Sequence, residues 1–151
     1  MRANRTGMAQ PIRPARPRVI VTRELPDAVA ARMDELFDTS LNQSDVAMDR
    51  VALEAAVADC DVLVPTVTDS IDAELIAGAG ERLKLIANFG AGVNHIDLKA
   101  ARARGIVVTN TPGVLTEDTA DMVMALIVAV PRRLAAGEKL VRSGQWKGWS
   151  P

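Results

Sequence analysis

Short apolar runs alternate with amphipathic stretches along most of the chain. Residues 19–22 read Val-Ile-Val-Thr, residues 106–109 read Ile-Val-Val-Thr, and three further runs lie between them. Short runs rich in β-branched residues predict buried strands, and apolar residues spaced three and four positions apart predict helices. The predicted strands cover residues 19–22, 39–42, 61–64, 83–88 and 106–109, and the predicted helices cover residues 28–37, 49–58, 72–79 and 97–104.

This alternation of strand and helix sets the fold class. Strands that are apolar on both faces are typical of parallel sheets covered by helices on both sides. Right-handed crossovers then give an α/β fold, a flavodoxin-like, doubly wound parallel five-stranded sheet. Asp97 is a predicted N-cap, and Gly80 and Gly105 are predicted to end the helices that precede them.

A long helix is predicted to follow the sheet. Thr116 is its predicted N-cap, with acidic residues in the favourable first turn. Within residues 120–130 only Asp121 is polar, and a helix that is apolar all round must be covered on every side. The sequence therefore predicts three segments, with the protein interrupted after the last: a disordered basic leader (1–17), a domain (18–115), and a linker helix with a Trp-containing loop (116–151).

Composition and charge exclude several classes of protein. Five arginines, three prolines and no acidic residue occupy residues 1–18, a composition typical of disorder. With no Tyr and only two Trp and two Phe, a nucleic-acid surface of stacked aromatics is not expected. The longest apolar run, residues 122–130, is far shorter than the roughly 20 residues that span a bilayer, so no membrane partner is expected. One cysteine and one histidine leave no disulfide framework and no metal site, and they favour the cytoplasm.

A glycine-rich turn lies between the fourth predicted strand and the next helix, where doubly wound folds bind their ligands. Residues 90–95 read Gly-Ala-Gly-Val-Asn-His, so His95 replaces the last glycine of the dinucleotide pattern G-x-G-x-x-G. The following strand ends at Asn110 without an acid for a ribose hydroxyl. Two interpretations stay open: the backbone N–H groups form a nest for a small anion such as a carboxylate, or the turn connects strand and helix without a ligand.

Three segments in a fixed order carry a resemblance to a known family. They are residues 88–97 (Asn-Phe-Gly-Ala-Gly-Val-Asn-His-Ile-Asp), 105–112 (Gly-Ile-Val-Val-Thr-Asn-Thr-Pro) and 116–121 (Thr-Glu-Asp-Thr-Ala-Asp). Together they closely resemble the D-isomer-specific 2-hydroxyacid dehydrogenases, and the glyoxylate/hydroxypyruvate reductase branch looks nearest. The resemblance spans about residues 18–151.

This resemblance implies a substrate domain whose residues have assigned roles. The backbone amides of Ala91 and Gly92 would hold the carboxylate of a small 2-oxo or 2-hydroxy acid, with Gly90 and Val93 shaping the turn. Thr119 would lie near the nicotinamide of NAD or NADP, and Trp149 would reach from one subunit to its partner's pocket in a homodimer. The long helix would link two domains near the dimer contact.

The same resemblance implies that the catalytic Arg, Glu and His, and the NAD(P)-binding domain, belong to sequence beyond this chain. The expected function is an oxidoreductase that reduces 2-oxo acids such as glyoxylate or hydroxypyruvate to D-2-hydroxy acids with NAD(P)H. This chain would supply the carboxylate site and be inactive alone. Two alternatives stay open, an inactive remnant and a stand-alone flavodoxin-like domain such as a receiver. A receiver needs acidic residues where this chain has Thr22-Arg23-Glu24 and Pro65-Thr66.

Residues outside the turn have structural interpretations. Cys60 is predicted to be a small buried side chain, and His95 a helix-entry residue beside the turn. Arg132 and Arg133 are predicted to form a solvated helix face, and Trp146 is predicted to pack.

Overall fold

Five parallel strands form one sheet in the computed structural model, which describes residues 16–149. Along the sheet the strands stand in the order β2-β1-β3-β4-β5, and every neighbouring pair is parallel. This confirms the predicted α/β fold with a five-stranded parallel sheet. The strands are β1 (Arg18–Val21), β2 (Asp38–Ser40), β3 (Val62–Val64), β4 (Leu85–Ala87) and β5 (Val107–Thr109).

Helices connect the strands and continue the chain beyond them. Three of them begin at aspartates whose carboxylates accept a backbone N–H at 2.8 Å, which is worth about 1 kcal/mol for each cap. These caps are Asp49, Asp72 and Asp97, so the predicted cap at Asp97 is confirmed. The helices are α1 (Asp27–Leu36), α2 (Arg50–Asp59), α3 (Ala73–Gly78), α4 (Leu98–Ala103), α5 (Thr116–Ala129) and α6 (Leu134–Arg142).

Both faces of the sheet are buried at its centre. On one face Ile20, Leu63 and Ile86 pack with apolar residues of α2, α3 and α4. On the other face Val19 and Val21 pack with Met33 of α1 and with Phe37, which follows that helix. Alternate residues of a strand point to opposite faces, so a strand buried on both sides must be apolar at every position. This explains the continuous apolar runs of β1 and β3.

Some predicted boundaries shift because nearby residues have other partners. The predicted strand over residues 83–88 shortens to β4. The N–H of Leu83 donates to Gly80 O, and the side chain of Asn88 donates to the turn that follows. The predicted N-cap at Thr116 is wrong, because Leu115 holds the cap position without a side-chain hydrogen bond and Thr116 is already helical. Gly80 follows directly after Ala79, the C-cap of α3, which is the position predicted for it.

The described chain divides into two compact units between Thr111 and Pro112. In the second unit α5 has no buried residue, and its large apolar side chains are more than half exposed, as with Met122 at 61% and Leu126 at 52%. Within residues 16–149, no helix combines the length and hydrophobicity that a membrane span requires. The predicted leader lies outside the described residues except for Arg16 and Pro17.

Candidate functional site

The glycine-rich turn leaves the carboxyl end of β4 and leads to α4. The N–H of Phe89 donates to Pro65 O at 2.8 Å, and Phe89 forms a parallel bridge with Thr66. The pairing of β3 and β4 therefore continues beyond the ends of the two strands. The turn therefore begins from a fixed position at the carboxyl edge of the sheet. This is the edge where open parallel sheets bind their ligands.

The carbonyl groups of the turn are held by the protein itself. Gly90 O accepts hydrogen bonds from Asn88 Nδ2 at 3.0 Å and from the N–H of Thr111 at 3.1 Å. Gly92 O accepts from Asn88 Nδ2 at 2.8 Å, and Ala91 O accepts from Asn110 Nδ2 at 2.7 Å. Three consecutive carbonyl oxygens of the turn thus have partners inside the chain.

The N–H groups of the same turn have no such partners. Among the described residues, none accepts a hydrogen bond from the backbone N–H groups of residues 90–95, which are six in succession. Successive free N–H groups in a turn form a concavity suited to an anion. Because the carbonyls of residues 90–92 are engaged and the N–H groups are free, the turn is rich in donors. We call residues 90–95 the amide turn.

The two glycines of the amide turn have different surroundings. A Cβ added at Gly90 would lie 2.9 Å from Val67 Cγ1, so the side chain of Val67 would have to move. A Cβ added at Gly92 would meet no atom within 4 Å, and neither glycine has a φ in the left-handed range. Gly92 therefore has no internal packing or backbone reason to be glycine, and a ligand that approaches the backbone closely would supply one.

Asn88, which precedes the amide turn, contacts His95 at the end of that turn. Asn88 is 2% exposed, and its Oδ1 lies 3.0 Å from Nε2 of His95. Burial lowers the pKa of His95, and the negative charge of Asp69 opposes that shift. His95 O also accepts from the N–H of Ile71 at 2.8 Å, which ties the end of the turn to the loop after β3. His95 is therefore held on both its side chain and its backbone.

A buried carboxylate lies in the loop after β3. Asp69 is 3% exposed, and its Oδ2 accepts hydrogen bonds from the hydroxyl of Thr22 at 2.5 Å and the N–H of Thr66 at 2.8 Å. Sequence reasoning did not single out Asp69 or Asn88. The signal that could have found them is a polar residue close to a buried strand, because a buried polar side chain requires a hydrogen-bond partner.

The predicted site residues fall into two groups. The amide turn in the first unit contains four of them, Gly90, Ala91, Gly92 and Val93. The second unit contains the other two, Thr119 and Trp149. Thr119 lies exposed in the first turn of α5, where its N–H donates to Leu115 O at 3.0 Å.

Trp149 lies beyond α6 and is 86% exposed, so its ring is free to contact other groups. Trp146, predicted to pack, is 58% exposed, so that prediction is wrong for the described residues. Arg132 and Arg133 are exposed, as predicted, but they lie in the turn between α5 and α6, so the predicted helix face is wrong.

The remaining candidate groups have structural roles or none. Cys60 is fully buried, which confirms the prediction, and burial raises the pKa of its thiol to about 11. Residues 16–149 contain no cluster of three or more His, Cys, Asp or Glu side chains that could hold a metal ion. Thr119, the residue predicted to lie near a nicotinamide, is exposed, and the amide turn carries His95 where a dinucleotide loop needs its third glycine.

The family model described as the catalytic domain of the D-isomer specific 2-hydroxyacid dehydrogenases matches residues 19–143. A glyoxylate reductase of Korarchaeum cryptofilum is 43% identical over 137 residues, which cover 90% of this chain and 41% of the relative. A glyoxylate reductase of Thermococcus litoralis is 41% identical over 140 residues, covering 90% of this chain and 42% of the relative.

Solved structures are also similar to this chain over about nine tenths of its length. A protein of Thermus thermophilus is 45% identical with a TM-score of 0.78, and the match covers 89% of this chain and 43% of that one. An NADPH-dependent glyoxylate/hydroxypyruvate reductase of Sinorhizobium meliloti, solved with NADP and malonate, is 33% identical with a TM-score of 0.72. That match covers 91% of this chain and 42% of the reductase. The chain thus spans about two fifths of the length of these relatives.

Proposed function

The chain belongs to the D-isomer specific 2-hydroxyacid dehydrogenase family, and from that premise we propose that its amide turn binds the carboxylate of a small 2-oxo acid. The observation that carries the proposal is the run of six N–H groups without an acceptor among the described residues, on a turn whose carbonyls at residues 90–92 are engaged. Within the turn we assign the carboxylate to the N–H groups of Ala91 and Gly92. Gly90 and Val93 hold the shape of the turn.

The whole protein would then be an oxidoreductase that reduces a 2-oxo acid such as glyoxylate or hydroxypyruvate to the D-2-hydroxy acid. The hydride comes from the reduced nicotinamide of NADH or NADPH when that cofactor is bound. Thr119, exposed at the start of α5, is proposed to contact its nicotinamide end. The names of the relatives, glyoxylate reductase and glyoxylate/hydroxypyruvate reductase, support this substrate class.

The contribution of this chain is to position the substrate. When two or more N–H groups hold the carboxylate, one end of the 2-oxo acid is fixed. The adjacent carbonyl carbon is then aligned to receive the hydride. Correct orientation supplies a large part of the rate enhancement of many enzymes. The described residues show no acid–base group that we assign to the reaction, so we propose that the 151-residue chain binds substrate without turning it over.

A second copy of the chain is the proposed partner of α5. The large apolar residues of this helix are more than half exposed, and a helix of that kind must be covered by other protein surface. We propose that the whole protein is a homodimer. Trp149, with its ring exposed, is proposed to reach the substrate pocket of the partner subunit.

Calorimetric titration of the 151-residue chain with oxamate tests the carboxylate site. Oxamate carries a carboxylate beside a carbonyl group, whereas its ethyl ester carries the same carbonyl without the negative charge. We expect oxamate to bind and ethyl oxamate not to bind. Equal affinity for the two compounds, or no binding of oxamate, would contradict the proposal.

The variant Gly92→Val localises that binding. A Cβ at residue 92 meets no protein atom within 4 Å, so the fold should be retained while the valine obstructs the approach of a ligand to the backbone. We expect oxamate affinity to fall at least tenfold. Gly137→Val, at another glycine whose Cβ has open space, is the matched control and should bind oxamate normally. Normal oxamate binding by Gly92→Val would remove the amide turn from the site.

A further inference from the structure

We propose that Asn88 is the residue that positions the amide turn for carboxylate binding, acting through both ends of its side-chain amide. This inference rests on the proposed function of the turn. Asn88 touches no substrate in this proposal. It acts on the direction in which the peptide groups of the turn point.

The hydrogen bonds of Asn88 determine how its amide is oriented. Its Nδ2 lies 3.0 Å from Gly90 O and 2.8 Å from Gly92 O, and both of these groups can only accept. The side-chain NH2 must therefore face the turn, with each of its two hydrogens donated to one carbonyl. The Oδ1 then faces His95 Nε2 at 3.0 Å.

This orientation also determines the tautomer of His95. Because Asn88 Oδ1 can only accept, the Nε2 of His95 must carry a hydrogen in the neutral ring. Asn88 is 2% exposed, so water is excluded from most of this arrangement. An unmade hydrogen bond here would leave a buried polar group without a partner, which is costly.

The consequence for the turn follows from peptide geometry. The C=O and N–H of one peptide unit point in opposite directions because the unit is planar and trans. By drawing the carbonyls of Gly90 and Gly92 toward itself, Asn88 turns the N–H groups of the following residues, Ala91 and Val93, away from the protein interior. Asn88 thereby directs the N–H of Ala91, one of the two N–H groups assigned to the carboxylate. The N–H of Gly92 is directed by Asn110, whose Nδ2 donates to Ala91 O at 2.7 Å.

Replacement by aspartate tests this role with almost no change in size. In Asn88→Asp both donors are lost, and a carboxylate oxygen replaces the NH2 that faces two carbonyl oxygens. The structure provides a matched control in Asn42, whose Nδ2 also donates to two carbonyls, those of Thr22 and Val46, at 2.7 Å each. Asn42→Asp makes the same chemical change away from the amide turn.

Calorimetric titration of these two variants and the unaltered chain with oxamate separates the possible outcomes. We expect Asn88→Asp to bind oxamate at least tenfold more weakly, and Asn42→Asp to bind within twofold of the unaltered chain. If the unaltered chain binds oxamate and Asn88→Asp binds it equally well, the role of Asn88 is refuted while the proposed function stands. If the unaltered chain does not bind oxamate, the proposed function fails and this inference fails with it.

A second pair of variants covers the case in which Asn88→Asp does not fold. His95→Gln keeps an N–H donor close to the position of Nε2, whereas His95→Leu removes it. We expect oxamate affinity to be largely retained in His95→Gln and to fall at least fivefold in His95→Leu. Long-range nitrogen–proton NMR correlations of the His95 ring should show the hydrogen on Nε2 in the unaltered chain. A hydrogen on Nδ1 alone, or equal affinities of the two variants, would overturn the inference.

Discussion

Two glycines only two positions apart should respond to alanine in opposite ways. Gly80 lies in the turn between α3 and β4, where its N–H donates to Val57 O at 3.0 Å. A Cβ on Gly80 would lie 2.4 Å from the backbone oxygen of Ala58. Gly78 is the last residue of α3, and a Cβ there would meet no atom within 4 Å.

The magnitudes follow from these surroundings. At Gly80 the obstructing atom belongs to the backbone of α2, so relief requires the end of that helix to shift, and overpacking of this kind costs about 1–3 kcal/mol. At Gly78 alanine removes the entropic disadvantage of glycine in a helix, which gains about 0.5–1 kcal/mol. The free energies of unfolding of the two variants should therefore differ by about 1.5–4 kcal/mol.

Urea denaturation followed by far-ultraviolet circular dichroism measures both effects against the unaltered chain. Gly80→Ala should unfold at lower urea concentration and Gly78→Ala at slightly higher concentration, with unchanged slopes. A thermal scan should show a shift of about 4 °C for each kcal/mol in a unit of this size. If Gly80→Ala is as stable as Gly78→Ala, the close packing of Gly80 against α2 is wrong.

Three further predictions concern the thiol, the turnover and the long helix. Cys60 is fully buried with its pKa raised to about 11, so a thiol-specific reagent at pH 8 should label it only as fast as the protein unfolds, and rapid labelling of folded protein would show an open core. The 151-residue chain should not oxidise NADH or NADPH with glyoxylate, hydroxypyruvate or pyruvate, because the described residues lack a dinucleotide loop and an assigned acid–base group; steady turnover by the pure chain, lost on a change within it, would contradict this. Light scattering should show self-association that is reduced when Leu126 and Ile127, both more than half exposed, are changed to polar residues. The reason is that burial of each such side chain is worth about 1.5–3 kcal/mol. A chain that stays monomeric as its concentration is raised would show that α5 is already covered.

The fold could be predicted from the sequence because its central strands are buried on both faces. Residues 19–21 of β1 and all three residues of β3 are apolar, and this pattern has few structural explanations other than a covered parallel sheet. Helix starts at Asp49, Asp72 and Asp97 were visible for a similar reason, since aspartate before an amphipathic stretch is a local signal. The same kind of signal predicted Thr116 as the N-cap of α5, and this was wrong because Leu115 holds the cap position.

The candidate site could be predicted only in part. The glycines of the amide turn were evident, and so was its place after a strand. The contacts that make the turn rich in donors were not evident, because they join Asn88 and Asn110 to carbonyls whose directions depend on the folded backbone. For the same reason the sequence left the choice between an anion nest and a simple connection open. Trp146 shows another limit, since composition cannot tell which aromatic ring will find a packing partner.

The central claim is that the N–H groups of the amide turn hold a carboxylate, and nitrogen-15 NMR of the labelled 151-residue chain tests it residue by residue. Titration with oxamate should move the amide signals of residues 90–95 downfield, with the largest changes at Ala91 and Gly92, while ethyl oxamate leaves them in place. The six amides have no acceptor among the described residues, so the shift on binding should be large. Shifts confined to other parts of the chain, or identical shifts with the uncharged ester, would contradict the account.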